Sequence, residues 1–258
     1  MVKGYFAPSV RKAFEILKLV SSTSEGMGIS EIARDLHMAK STVHGMTSAL
    51  EELGAIIRDP STKRYTLGLT LFELGKKAYS QIDLKDLARP VMEDLMERTE
   101  TSVFLGVLNG DHVTILDVVE SKNDLKITSP IGTTIPLFAG AVGKVFLARM
   151  DDQQAVGLIR SKGLSRYTEN TITEPEPYLK EINAVREQGY ATDDEEYIMG
   201  VRAVAAPISG RGHLMSAIWA VGFKASLDVD KMKALAENTK EAAASINRRI
   251  DAQPVQSP

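Results

Sequence analysis

The chain contains no cysteine among its 258 residues. That absence excludes a disulfide scaffold, a cysteine-ligated zinc finger, an iron–sulfur cluster and a cysteine nucleophile. Long apolar runs are missing too. Nothing approaches the roughly 18 consecutive apolar residues of a membrane-spanning helix, and the N-terminal MVKGYFAPSVRKAFEIL has no apolar core of a secretory leader. A soluble, cytoplasmic protein is the expectation. Aromatic residues are sparse at 6%, with a single tryptophan, while 43% of residues are hydrophobic and 25% charged, as in an ordinary folded chain. The length fits one or two domains.

The net charge of −3 has no basic excess to offer a polyanion, but it is unevenly spread. Residues 1–80 carry 11 Lys/Arg against 8 Asp/Glu, and the remainder 20 against 26. A weakly basic first third and an acidic remainder point to two domains with different partners.

In the first third, Val10, Phe14, Leu17 and Val20 repeat at helical spacing behind Pro8 and a candidate N-cap, Ser9. SSTSEGMG reads as a loop. ISEIARDL gives a short second helix with Ile29, Ile32, Ala33 and Leu36 on one side. After HMAK, a third helix turns Val43, Met46, Leu50 and Leu53 inward and stops at Gly54. Asp59-Pro60-Ser61-Thr62 then turns a β-hairpin whose flanks carry Ile56, Ile57, Tyr65 and Leu67.

Three helices and a hairpin are the layout of a winged helix-turn-helix. Its third helix can enter a major groove while the hairpin follows the backbone. The free face would present Lys40, Ser41, Thr42, His44, Gly45, Thr47 and Ser48, and the hairpin tip Lys63 and Arg64. Arg11 and Ser30 complete the expected DNA-facing set. A trihelical module used for protein contacts is the alternative.

GLTLFELGKKAYS wraps apolar residues around most of a helix, which asks for more than one neighbour. Leu69, Phe72 and Tyr79 are candidate contacts of a homodimer; packing within the chain is the alternative. The domains read as 8–68 winged helix-turn-helix, 69–80 connector helix, 81–252 second domain and 253–258 disordered tail.

The second domain opens with a helix turning Leu84, Leu87, Val91 and Leu95 inward, with Pro90 at a kink or in the first turn. A hairpin follows, Val103–Leu108 and Val113–Val119, around Asn109-Gly110-Asp111. Helices are expected over AGAVGKVFLARM, DDQQAVGLIRSKG and PEPYLKEINAVREQG, and strands over Ala203–Ile208 and Met215–Val221. A last helix aligns Met232, Leu235, Thr239, Ala242, Ile246 and Ile250 behind a cap at Asp228 or Ser226. This is an α+β pattern with an antiparallel sheet.

Catalytic motifs fail one by one. AGAVGK is no phosphate-binding loop: the required first glycine would be Phe138, and Lys144 is followed by valine. Asp193-Asp194-Glu195-Glu196 could pair carboxylates, but on an extended chain at most two face one pocket. His37, His44, His112 and His213 show no metal-ligand spacing, and no G-x-S-x-G elbow occurs. No metal and no cofactor are expected, and the chain is not read as an enzyme.

The run ISEIARDLHMAKSTVHGMTSALEELGAIIRDPSTKRYTLG resembles the DNA-binding domain of the IclR family of bacterial transcriptional regulators. SPIGTTIPLFAGAVGKVFLA and EQGYATDDEEYIMGVRAVAAPI resemble that family's ligand-binding domain, with Gly189, Asp193, Glu196 and Ala203 at its signature spacing. One departure is Gly45, where the family usually carries arginine. The resemblance implies a GAF-like effector domain, a dimer or dimer of dimers, a double-stranded DNA operator and control by a small metabolite, often an organic acid. It also implies a carboxylate effector near Gly140 and Ala141, at a helix start that favours anions, with Asp193 as a polar pocket residue and Ala203 at a position where many members carry cysteine. Where members that bind small polar acids carry serines, this chain has Trp219 and Val221, and Phe138 precedes the loop. The expected effector is therefore bulkier and less polar than a two- or three-carbon keto acid, an aromatic acid among the choices, unless Trp219 only fills the core. The alternative function is a metabolite-binding module or enzyme that uses its helix-turn-helix for assembly.

Overall fold

A computed structural model describes residues 7–80, 84–209 and 215–252. The expected tail at 253–258, His213 and the side chain of Tyr79 lie outside the described part. The chain divides into two compact units, Met1–Ile82 and Asp83–Pro258.

The first unit runs α1 (Pro8–Ser21), α2 (Ile29–Asp35), α3 (Lys40–Glu52), β1 (Ile56–Arg58), β2 (Tyr65–Leu67) and α4 (Leu69–Ser80). Pro8 takes the first turn of α1 and Ala7 is the N-cap, two residues before the Ser9 cap read from sequence. The inward face of α1 is Ile16 and Val20, with Ala13 and Leu17 packed beside them. Val10 and Phe14, expected on that face, are 56% and 60% exposed. At 3.6 residues per turn, Phe14 points about 160° away from Ile16, so both cannot face one core. Leu53 is likewise exposed, as the C-cap of α3 rather than part of its buried stripe. Gly54 follows with φ +69°, and Ala55 N–H reaches back to Leu50 O at 2.8 Å, closing the helix end.

β1 and β2 pair antiparallel, with Ile56 opposite Leu67 and Arg58 opposite Tyr65. Ile56 and Tyr65 bury against Ile32, Val43 and Leu50, whereas Ile57 and Leu67 point outward. The turn is fastened by Asp59, whose Oδ1 accepts from Ser61 N at 2.8 Å, Thr62 N at 2.7 Å and Ser61 Oγ at 2.6 Å. Those donors hold the carboxyl well below the usual carboxylate range.

The second unit begins with α5 (Leu84–Thr99), β3 (Ser102–Asn109), β4 (His112–Val119) and β5 (Thr134–Pro136). Three helices follow, α6 (Gly140–Ala148), α7 (Asp152–Lys162) and α8 (Pro175–Gln188). The unit ends with β6 (Ala191–Asp194), β7 (Val201–Ile208), β8 (Ser216–Phe223), a short 3₁₀ turn and α9 (Val229–Ala252). The strands form one six-stranded sheet in the order β5-β4-β3-β8-β7-β6, antiparallel throughout. Side-chain alternation splits its residues between two layers. Phe104, Ala203, Ala205, Trp219 and Val221 join the core under α6, α7 and α8. α5 and α9 pack together and cover the sheet through β3, β4, β7 and β8.

α5 buries Ala88, Val91, Met92, Leu95 and Met96, while Leu84 and Leu87 are only half-buried; Pro90 sits exposed inside the helix. Asp228 caps α9, its Oδ1 accepting from Lys231 N at 2.9 Å. Two short edge strands had no counterpart in the sequence reading. β5 has three residues and ends at Pro136, and β6 is the polar Ala191–Asp194. Neither carries enough alternation to stand out.

Candidate functional site

The first surface of interest is α3. Burial of Val43 and Leu50 turns Lys40, Ser41, Thr42, His44, Gly45 and Ser48 to solvent. Arg11 and Ser30 are exposed as well. Thr47 is not part of this face. It is fully buried, and its Oγ1 donates to Val43 O at 2.9 Å. Four residues after Val43, it shares the inward side. Gly45 faces open space: a Cβ there would meet nothing within 4 Å.

At the hairpin, Lys63 is exposed at the tip with φ +60°. Arg64 is not a free tip cation. Its Nε donates to Glu25 O and Gly26 O, both at 3.1 Å, and its Nη2 lies 3.0 Å from Glu31 Oε2. Glu31 in turn accepts from Gly28 N at 2.8 Å at the start of α2. That amide and Arg64 hold the Glu31 carboxyl below its ordinary value. Arg64 therefore ties the hairpin to the second helix. The cation that sequence reasoning overlooked is Arg58, exposed on β1 with its guanidinium 5.8 Å from the Tyr65 ring centroid. It lay within a strand read only for its apolar residues.

The second site is a cavity of about 230 Å³ in the larger unit, between the start of α6, the 127–135 segment and strands β7 and β8. Gly140, Ala141, Asp193, Ala203, Trp219 and Val221 all line it. Phe138 does not. It packs edge-on against Tyr178, 6.2 Å between centroids, in the layer beneath α6. The wall opposite α6 is aromatic: Phe104 and Trp219 stack at 5.5 Å with 10° between planes. The sheet makes room for the indole at Gly106, where a Cβ would lie 2.8 Å from the Trp219 ring. Thr128, Ser129, Thr133, Thr134 and Tyr197 line it as well, together with Ile115, Ile127, Ile135 and Ile198. The hydroxyl-bearing residues lie in and beside the segment leading to β5 and after β6, where no apolar periodicity marks them.

The acidic run is taken apart by its partners. Asp194 pairs with Arg202 at 2.6 Å, Glu195 with Lys224, and Glu196 with Lys144 at 2.6 Å. Only Asp193 faces the cavity. Its Oδ1 accepts from Glu196 N at 2.6 Å, and its Oδ2 occupies the place a Cβ on Gly140 would take. Gly140 itself has φ +62°. Burial, reinforced by the Glu196 charge, pushes the Asp193 carboxyl up to about 6, against the pull of the Glu196 amide and Lys144. Burial also raises Glu196, with Lys144 opposing it.

Lys144, no phosphate-loop lysine, is a buried anchor of α6. It is 1% exposed, and besides Glu196 its Nζ reaches Thr192 O at 3.1 Å and Glu181 at 3.5 Å. It fixes α6 to the segment that carries Asp193. A second cleft, of about 430 Å³, opens at the strand ends beside α5 and α9. Its Glu97, Arg98 and Lys126 are engaged by Lys122, Glu241 and Glu120. No helix among the described residues is long and apolar enough to cross a membrane.

Comparison with known proteins identifies the family of the chain. Residues 76–248 match the family described as bacterial transcriptional regulator IclR C-terminal, and residues 9–60 match the IclR helix-turn-helix domain. The HTH-type transcriptional regulator KdgR of Escherichia coli K12 is 34% identical over 215 residues, covering 83% of this chain and 81% of that one. The crystal structure of an IclR transcriptional regulator from Alicyclobacillus acidocaldarius superposes with a TM-score of 0.79 at 28% identity, over 95% of this chain and 99% of that one. An IclR homolog from Microbacterium hydrocarbonoxydans, solved with 4-hydroxybenzoate, shares the fold with a TM-score of 0.77 at 21% identity, over 95% and 100% of the two chains. The chain thus belongs to the IclR family of bacterial transcriptional regulators, DNA-binding proteins with a C-terminal effector domain rather than enzymes.

Proposed function

We propose that this regulator grips its operator as a homodimer or dimer of dimers, and that an aromatic or largely apolar organic acid in the 230 Å³ cavity changes that grip. The observation that carries this reading is the stacked Phe104–Trp219 wall facing the start of α6. A flat apolar ring gains from burial against that wall. Its carboxylate gains from the unpaired amides and dipole at the helix start. The relative solved with 4-hydroxybenzoate is consistent with such a ligand.

On the DNA side, Lys40, Ser41, Thr42 and His44 would read the major groove, with Arg11, Ser30, Arg58 and Lys63 as phosphate contacts. The exposed Leu69 and Phe72 of α4 support a homodimer contact, since neighbouring apolar side chains one turn apart form a patch that gains from cover by a second copy. Calorimetry with 4-hydroxybenzoate, benzoate, pyruvate and glyoxylate tests the effector class, alongside anisotropy of the protein's own upstream DNA with and without each acid. The expected result is binding of the aromatic acids and a shift of at least tenfold in DNA affinity, which needs only about 1.4 kcal/mol of coupling. Tighter binding of pyruvate or glyoxylate than of either aromatic acid overturns it.

A further inference from the structure

The cavity proposed for an acid holds an acid already. Asp193 is 5% exposed, lines the wall, and lies against Gly140, the first residue of α6, where the effector carboxylate would be seated. Among the described residues that line the cavity there is no lysine, arginine or histidine to balance a second negative charge. The groups that face Asp193 from the elements around it do not supply that balance. From α6 comes Lys144, whose ammonium is held by Glu196 and Thr192 O and does not line the cavity. From the segment after β6 come Glu196, another carboxylate, and the phenol of Tyr197. From α8, Glu181 reaches Lys144 at 3.5 Å, and Tyr178 packs against Phe138 and does not line the cavity. From β7, Arg202 is turned to Asp194 and Leu227 O.

We propose that an organic acid enters this cavity only together with one proton, shared between its carboxyl group and Asp193, so that effector affinity is coupled to pH and a neutral isostere escapes the coupling. Two carboxylates side by side in a water-poor site cannot both stay ionised, and the pair titrates as a unit. The free protein is poised for this, because Asp193 already titrates near pH 6. Below that pH the proton is in place before the ligand arrives. Above it, the proton must be drawn from solvent, and affinity for the acid falls by up to about tenfold per pH unit. Anion binding at the α6 start is thereby conditional, unlike at a helix terminus with no acidic neighbour.

The inference rests on the effector reading above and is tested so that the two can fail separately. Benzoate and benzamide, equal in shape and different in charge, are titrated into the full-length protein at pH 5 and pH 7.5. Each titration is run in two buffers of different ionisation heat, which gives the number of protons exchanged. Benzoate is expected to take up close to one proton at pH 7.5 and almost none at pH 5, and benzamide none at either. Asp193→Asn, which keeps the Oδ1 acceptor for the Glu196 amide, should abolish uptake and strengthen benzoate at pH 7.5 by about thirtyfold. Benzoate binding at pH 7.5 without proton uptake, and with the same pH profile in Asp193→Asn, overturns the inference and leaves the effector reading standing. Failure of both compounds to bind at any pH overturns the effector reading and this inference with it.

Discussion

Lys144 Nζ lies 2.6 Å from Glu196 Oε1, with the lysine 1% exposed and the glutamate side chain 14% exposed. The pair joins α6 to the segment that carries Asp193, so one wall of the cavity is positioned by a buried ion pair. Removing one partner strands the other charge in a dry environment. Lys144→Met should therefore destabilise the second unit by about 3–5 kcal/mol. Lys144→Met with Glu196→Gln should cost markedly less, since no buried charge is left unpaired and Glu181, half-exposed, stays in contact with solvent. Urea denaturation of both variants, followed by a signal from Trp219, checks the difference. Equal losses in the single and double variants would remove the ion pair from the account.

Asp193 makes stability depend on pH in a predictable direction. Its carboxyl titrates near 6 in the folded protein against 3.8 for an ordinary aspartate. Between those values the folded state holds a proton that the unfolded state has released. Stability therefore falls as pH rises from about 4 to 6, then stays level as far as this group is concerned, by on the order of 3 kcal/mol in all. Asp193→Asn should be more stable than the parent at pH 7 and should lose this slope. Thermal melts across pH 4–7 measure it.

The helices and the two long hairpins could be read from sequence because their apolar spacing is regular over many residues. The errors have one cause: spacing identifies a helix, but neighbouring apolar positions compete for which side faces in. Val10 and Phe14 lost that competition to Ala13 and Ile16. Thr47 was assigned outward by its polarity, although it follows Val43 by four residues and bonds to its carbonyl. Arg64 was read as a free charge because its partners, Glu25, Gly26 and Glu31, lie more than thirty residues away. The cavity's anionic heart was legible at Asp193, through resemblance; Lys144 and the hydroxyls around the pocket were not, since their grouping arises only when loop, helix and sheet come together.

Gly45 is an unfilled position on the side of α3 proposed to face DNA. With nothing within 4 Å of a Cβ there, substitution meets no steric cost. Gly45→Ala should stabilise α3 by up to about 1 kcal/mol. Gly45→Arg should add a phosphate or base contact, raise affinity for upstream DNA and steepen the salt dependence by about one unit of the log–log slope. Anisotropy titrations over a salt series check both; an unchanged slope in Gly45→Arg would take this residue off the DNA face.

Thr42 and Thr47 provide a paired control on the same helix. Thr42 is exposed and Thr47 is buried against its own backbone. Thr42→Ala with His44→Ala should cost about 1–3 kcal/mol for the specific site and little for random DNA. Thr47→Val, which preserves shape, should leave the ratio of specific to non-specific affinity within about twofold of the parent. Competition titrations with operator and scrambled duplexes separate the two outcomes, and equal effects at both positions would contradict the orientation of α3.

Leu69 and Phe72 stand 64% and 65% exposed on α4, one helical turn apart. Two such side chains turned to water forgo roughly 1.5–3 kcal/mol each relative to full burial, and a second copy of the helix is the simplest cover. Leu69→Glu with Phe72→Glu should then shift the proposed dimer to monomer at micromolar concentration in analytical ultracentrifugation. Because neither side chain contributes to the core around Ile16 and Tyr65, the variant should keep its helical circular dichroism. DNA affinity should fall far more than the loss of any single phosphate contact explains, since one domain with its small positive charge has little hold alone. A double variant that stays dimeric would place the homodimer contact elsewhere on the chain.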